Sequence, residues 1–255
     1  MIGAIIGDIA GSCYEFDNTT DYDFEMFGDE NDITDDTICT VAVADAAMNG
    51  KDYETALREW CRRYPHPMGE YGSYFYNWVM RDCPAPYYSF GNGAAMRVSA
   101  LAWLYDSEEE VRREAEASAS VTHNHPEGIK GAVAIATAIF RMRKSENKTK
   151  DVFERTAKEF YGESVFDLLP EKGYFDVTCQ GCVPLAFYLC MNAESFEDAV
   201  RRAVVYGGDS DTLGAITGSL AEARFGILPE MANKAKSYLP DEMSAIVEQF
   251  ERMRK

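Results

Sequence analysis

Basic residues are scarce in this chain. Its 255 residues hold 25 Lys and Arg against 43 Asp and Glu, a formal charge of -18. A surface that acidic repels phosphate backbones, so non-specific nucleic-acid binding is not expected. Histidine is scarcer still, with three residues, and the seven cysteines stand mostly alone. Neither pattern gives a zinc framework or a disulfide scaffold; reduced thiols are expected, including the Cys179–Cys182 pair, which lacks a second pair or a redox context. No apolar run approaches the ~20 residues of a membrane span, and no basic stretch precedes Asp8, so neither a membrane segment nor a secretory leader is expected. A cytoplasmic location follows as an expectation. Pro/Gly/Ser linkers and low-complexity segments are also missing. One domain over residues 1–255 is therefore expected, and 46% hydrophobic residues are enough for its core.

Strand-like alternation is nearly absent; Tyr174–Val177 is the one short candidate. What is present is helical periodicity, from about residue 2 to beyond 241, with stops at Asn49-Gly50 and around Pro84 and Pro86. The fold class is predicted to be all-α, a compact assembly of roughly ten or more helices. One helix is expected over 2–14, with Glu15 at its end, and another over 94–104. Gly3, Gly7 and Gly11 share one face of the first helix, at a cost of about 2–3 kcal/mol against alanine. Gly214 and Gly218 repeat the spacing near the far end of the chain. Close packing of these two helices is expected.

Two acidic clusters stand out. Thr34-Asp35-Asp36-Thr37 and Asp209-Ser210-Asp211-Thr212 each precede an apolar, small-residue run. Each reads as a helix N-terminus, where one Asp or Thr suffices as a cap. More oxygen ligands are present than a cap needs, and adjacent carboxylates repel unless a cation or proton lies between them. If the clusters meet, they suit two hard cations sharing a carboxylate, with Mg²⁺, Mn²⁺ or Ca²⁺ favoured over zinc. Ser89-Phe90-Gly91-Asn92-Gly93 opens another helical run and reads either as a phosphate cradle or as a plain turn. Asp8, inside the glycine helix, needs hydrogen-bond partners. Glu15 is either a solvated helix-end residue or part of a site. His123 and His125 lack a third ligand for a metal, which leaves one histidine as a ligand contact.

In this order the segments GDIAGSCYE, TDDT, EYGSYFYNW, SFGNGAAMRV, VTHNHPEGIKGA, VPLAFYL and GGDSDTLGAITGSLAEARFG resemble the ADP-ribosylglycohydrolase family over nearly the whole chain. The resemblance implies a compact all-α fold and a binuclear Mg²⁺ centre, in some members Mn²⁺. Thr34, Asp35, Asp36, Asp209, Asp211 and Thr212 match its ligands. The residues matching Ser89, Phe90, Gly91, Asn92 and Gly93 hold the diphosphate and adenosine side, His123 lies beside the ligand, and Tyr71-Gly72 lies beside the distal ribose. At that last position an arginine-type bacterial relative carries an aspartate that this chain lacks. Glu15 matches a mobile glutamate of the serine-type members and is the expected general acid/base, with Asp36 as the other candidate for proton handling. The implied activity is metal-dependent hydrolysis of the N- or O-glycosidic bond between ADP-ribose and a protein side chain or small acceptor. A non-catalytic ADP-ribose-binding module is the alternative.

Overall fold

A computed structural model describes residues 1–254; Lys255, the last residue of the expected domain, lies outside them. Fourteen helices follow in chain order: α1 (Ile2–Ser12), α2 (Asp35–Asn49), α3 (Tyr53–Arg63), α4 (Ser73–Met80), α5 (Gly93–Met96), α6 (Leu101–Leu104), α7 (Glu108–Ser120), α8 (Pro126–Lys144), α9 (Asp151–Tyr161), α10 (Cys179–Met191), α11 (Phe196–Tyr206), α12 (Ser210–Phe225), α13 (Pro229–Lys236) and α14 (Asp241–Met253). The all-α expectation holds. Among the described residues Tyr174–Val177 forms no strand; only two isolated bridges occur, Thr34 with Met68 and Gly91 with Thr178. The expected 94–104 helix is interrupted: α5 and α6 flank a non-helical turn at residues 97–100, from which Arg97 runs into the core.

Local chemistry sets many of the helix ends. Thr34, Asp52, Ser107, Thr178 and Ser195 each accept a backbone N–H of the following turn, a contact worth about 1 kcal/mol apiece. Gly50 ends α2 in the left-handed region at φ 64°.

At the centre α1 lies against α12. Every residue of α1 and the stretch Ser210–Ala223 of α12 are buried. The glycine stripes face one another: a Cβ on Gly7 would stand 2.0 Å from the Gly214 carbonyl oxygen, and one on Gly3 2.2 Å from that of Gly218. The two backbones touch where side chains would otherwise separate them. That contact carries the start of α12, and with it Asp209 and Asp211, to the C-terminal end of α1. Helix α2 packs beside the pair and delivers its own acidic start to the same place. The core continues as one apolar cluster from Met1 to Phe250.

Candidate functional site

Asp8 is the innermost of the acidic groups. It is fully buried on α1 and accepts from the Thr34 hydroxyl at 2.7 Å, the Thr34 N–H at 3.1 Å and the Thr37 N–H at 3.0 Å. The partners that its burial demands are therefore supplied by the first turn of α2. Thr34 Oγ1 also accepts from Asp36 N at 3.2 Å, so this one side chain both caps α2 and ties it to α1. The Thr212 hydroxyl donates to Asp36 Oδ2 at 2.9 Å and joins α12 to α2.

The two acidic clusters thus converge. Carboxylate oxygens of Asp8, Asp36 and Asp211 lie within 4.8 Å of one another, and so do those of Glu15, Asp209 and Asp211. Asp211 belongs to both triads. Asp36 Oδ1 is buried without a hydrogen-bond partner, and Asp209 caps no amide. Capping alone explains neither atom. Burial and mutual repulsion hold Asp35, Asp36 and Asp211 well above the ordinary carboxylate range. Asp8 and Asp209 are pushed up to about 6, chiefly by burial. The oxygen-only donor set, the orphaned Asp36 oxygen and the shared Asp211 fit a pair of hard cations. Asp35 stands on the cavity wall outside both triads. Asp8, which the sequence marked only as needing partners, stands inside one.

Helix α1 stops at Ser12 rather than at residue 14 as expected, so Glu15 lies three residues beyond its end, in a turn. Asn18 fixes that turn. Its amide nitrogen donates to Tyr14 O and Gly208 O, and its Oδ1 accepts from Gly208 N. Gly207 and Gly208 both have positive φ, 78° and 82°, and a Cβ on Gly208 would meet Tyr174 O at 2.3 Å. Only glycine allows this turn to place Asp209 against Glu15. Burial, then the charges of Asp211 and Asp8, raise Glu15 to about 8.

Above the carboxylates opens a cavity of about 800 Å³. Glu15, Asp35, Asp209, Asp211 and Thr212 line one part of it, and Tyr71, Gly72, Ser89, Phe90, Gly91, Asn92, Gly93 and His123 line the rest. Of the expected site residues only Thr34 and Asp36 are not on this wall; both lie behind it, buried. The Tyr71 hydroxyl donates to Tyr64 O at 2.7 Å, so the tyrosine offers its ring to the cavity. The glycine loop is less open than a cradle of free amides. Gly91 N donates to Ser89 Oγ and Asn92 N to Val177 O at 2.8 Å. The Asn92 side chain turns to Asp209 Oδ2 at 2.6 Å, linking the loop to the second acidic cluster. Cys179 and Cys182 are buried beneath the loop, with thiols directed to Gly91 O and Asp176 O. They buttress the loop, as unpaired structural thiols. His123 is buried on the wall, and burial together with the Arg97 charge holds its imidazole well below the usual range, in the neutral form.

Sequence and fold comparisons agree with one another. An uncharacterized protein of Archaeoglobus fulgidus is 28% identical over 267 residues, covering 90% of this chain and 88% of that protein. The ADP-ribosylhydrolase ARH3 of Bos taurus is 26% identical over 185 residues, covering 54% of this chain and 51% of the bovine protein. The ADP-ribosyl-[dinitrogen reductase] glycohydrolase of Rhodospirillum rubrum is 29% identical over 142 residues, 54% of this chain and 47% of that protein. The matches to these two enzymes span about half of their lengths. A solved structure described as an ADP-ribosylglycohydrolase-related protein complex superposes with a TM-score of 0.75 at 23% identity, over 98% of this chain and 95% of the other, and so shares the fold. The model of the ADP-ribosylglycohydrolase family matches residues 1–254, from the glycine helix to the final helix, and the chain belongs to that family.

Proposed function

We propose that this chain is a metal-dependent hydrolase, acting in the cytoplasm as a single domain, that releases ADP-ribose from an N- or O-glycosidic linkage. The observation that carries the reading is the pair of carboxylate triads sharing Asp211 at one end of the cavity. Two Mg²⁺ or Mn²⁺ ions held by Asp36, Asp209 and Asp211, with Thr34, Asp35 and Thr212, would orient ribose hydroxyls and a water and offset the carboxylate charge. The chain's own side chains supply the rest. Ser89–Gly93 and His123 hold the diphosphate side. Phe90, 44% exposed at the cavity, packs against the adenosine part. Tyr71 and Gly72 border the distal ribose. Glu15 carries the proton: it stands at the cavity wall beside Asp209 and Asp211, where burial raises its pKa, and it can pass a proton to the leaving atom as positive charge develops at the anomeric carbon. Asp36, committed to Thr212, is the weaker candidate for that step.

A panel of ADP-ribosylated arginine and serine peptides, an acetyl ester, a nucleobase and a small guanidine, assayed for free ADP-ribose with Mg²⁺ and after EDTA, tests this. Release from at least one member, lost with EDTA and restored by Mg²⁺ or Mn²⁺, is expected. Full activity in EDTA would eliminate the metal mechanism. Tight ADP-ribose binding without release from any member would make the chain a binding module.

A further inference from the structure

Arg97 is a buried guanidinium with no carboxylate beside it. It is 1% exposed and pairs with no acidic side chain among the described residues, in a chain of charge -18. Its Nη2 donates to Ser118 O at 2.8 Å and to Thr122 Oγ1 at 2.9 Å. Thr122 Oγ1 in turn lies 2.7 Å from His123 Nδ1. A guanidinium can only donate, so the Thr122 oxygen receives that bond and keeps its own proton. No other partner of this hydroxyl exists among the described residues, and Thr122 is fully buried. Its proton therefore goes to His123 Nδ1. The opposite tautomer would leave the Thr122 proton buried without an acceptor, which costs about 1–3 kcal/mol.

We infer that Arg97 and Thr122 are positioning residues that fix His123 as the Nε2–H tautomer, so that a neutral N–H donor faces an anionic group, a phosphate of the diphosphate, at the glycine loop. The ring edge that bears Nε2 faces that loop: a Cβ added at Gly93 would stand 3.2 Å from Nε2, and one at Gly91 3.4 Å. No protein acceptor is hydrogen-bonded to Nε2 among the described residues. The loop's own amides at Gly91 and Asn92 are spent on Ser89 Oγ and Val177 O, so this donor adds what they do not offer. Glycine at 91 and 93 leaves the space between the ring and the loop clear. Arg97, which also lines the cavity wall, thus acts on the ligand through Thr122 and His123. Its charge favours the neutral ring, and the Tyr87 ring packs with its centroid 6.0 Å from that of the imidazole.

The identity of the anion rests on the ADP-ribose reading above; the tautomer does not. Nitrogen-15 correlation spectra of the wild-type protein at pH 7, with His123 assigned through His123→Gln among the three histidines, should show a neutral imidazole protonated at Nε2. A ring protonated at Nδ1, or a charged one, would overturn the relay. In Thr122→Val, which keeps the shape and loses the hydroxyl, the His123 resonances should move to a mixture of tautomers. ADP-ribose affinity by calorimetry should fall in proportion to the Nε2–H fraction that is lost, about 2-fold for an even mixture, and Thr122→Ser should restore both. Wild-type affinity in Thr122→Val, or a failure of Thr122→Ser to restore it, would also overturn the inference. Absence of ADP-ribose binding by the wild-type protein would sink the glycohydrolase reading instead, while the spectrum still decides the tautomer.

Discussion

Glu15 is the side chain whose chemistry depends most on its neighbours. It is half-buried beside Asp209 and Asp211, and in the metal-free site desolvation, then the charges of Asp211 and Asp8, raise it to about 8. A placed carboxylate that transfers a proton contributes about 10²–10⁴-fold to a rate. Glu15→Gln keeps size and hydrogen bonding but cannot exchange the proton. We expect kcat to fall at least about 100-fold while the ADP-ribose dissociation constant stays within a few-fold, measured by steady-state release and calorimetry. If kcat barely moves, the proton belongs to Asp36 and Glu15 returns to a bystander at the cavity edge.

Among the elements, the contact of α1 with α12 decides the geometry of the site. Glycine inside a helix is unfavourable by about 1 kcal/mol against alanine, so an isolated α1 would gain from Gly7→Ala. In the folded chain the same substitution drives a Cβ into Gly214 O at 2.0 Å, a backbone atom that cannot rotate away. Overpacking of this kind costs about 1–3 kcal/mol, and the helices that carry Asp8 and Asp211 must part to relieve it. Gly7→Ala is therefore expected to lower stability by up to about 2 kcal/mol net in urea unfolding, and to weaken the Mg²⁺-induced rise in melting temperature. A variant as stable as wild type would show that the seam is looser than its geometry.

For the whole molecule, the buried carboxylates couple folding to protons and to metal. Asp8 and Asp209 at about 6, Glu15 at about 8, and Asp35, Asp36 and Asp211 well above 3.8 all titrate higher folded than unfolded. The metal-free folded chain then binds more protons than the unfolded chain between about pH 4 and pH 8. Stability from these groups is present below that window and is lost as pH rises through it. We expect the metal-free melting temperature to fall from about pH 5 to pH 8, and saturating Mg²⁺ to remove most of that fall by taking the protons' place. Mg²⁺ at 100 times its dissociation constant adds about 2.7 kcal/mol. Asp211→Ala removes the carboxylate common to both triads, so its metal-free curve should be flatter and unresponsive to Mg²⁺. Thermal scans across pH measure both, and a flat wild-type curve would mean that the cluster is not strained by its own charge.

Much of this was already written along the chain. Helical periodicity and the lack of alternation determined the all-α class, because 3.6-residue spacing is a local property. The glycine stripes at 3, 7, 11 and at 214, 218 announced two helices in backbone contact, and matching acidic starts at 34–37 and 209–212 marked candidate site residues. The remainder depended on atoms brought together from distant segments. Whether the clusters meet is decided by the α1–α12 seam. Asp8 enters a triad only because Thr34 and Thr37 fold over it. The loop's amides are spent because Val177 O reaches Asn92 N, and Asn92 turns to Asp209. The 94–104 helix breaks where Arg97 turns into the core toward Ser118 and Thr122. Residue types and spacing state which groups can bond; only the packed chain states which lone pairs and protons are already taken.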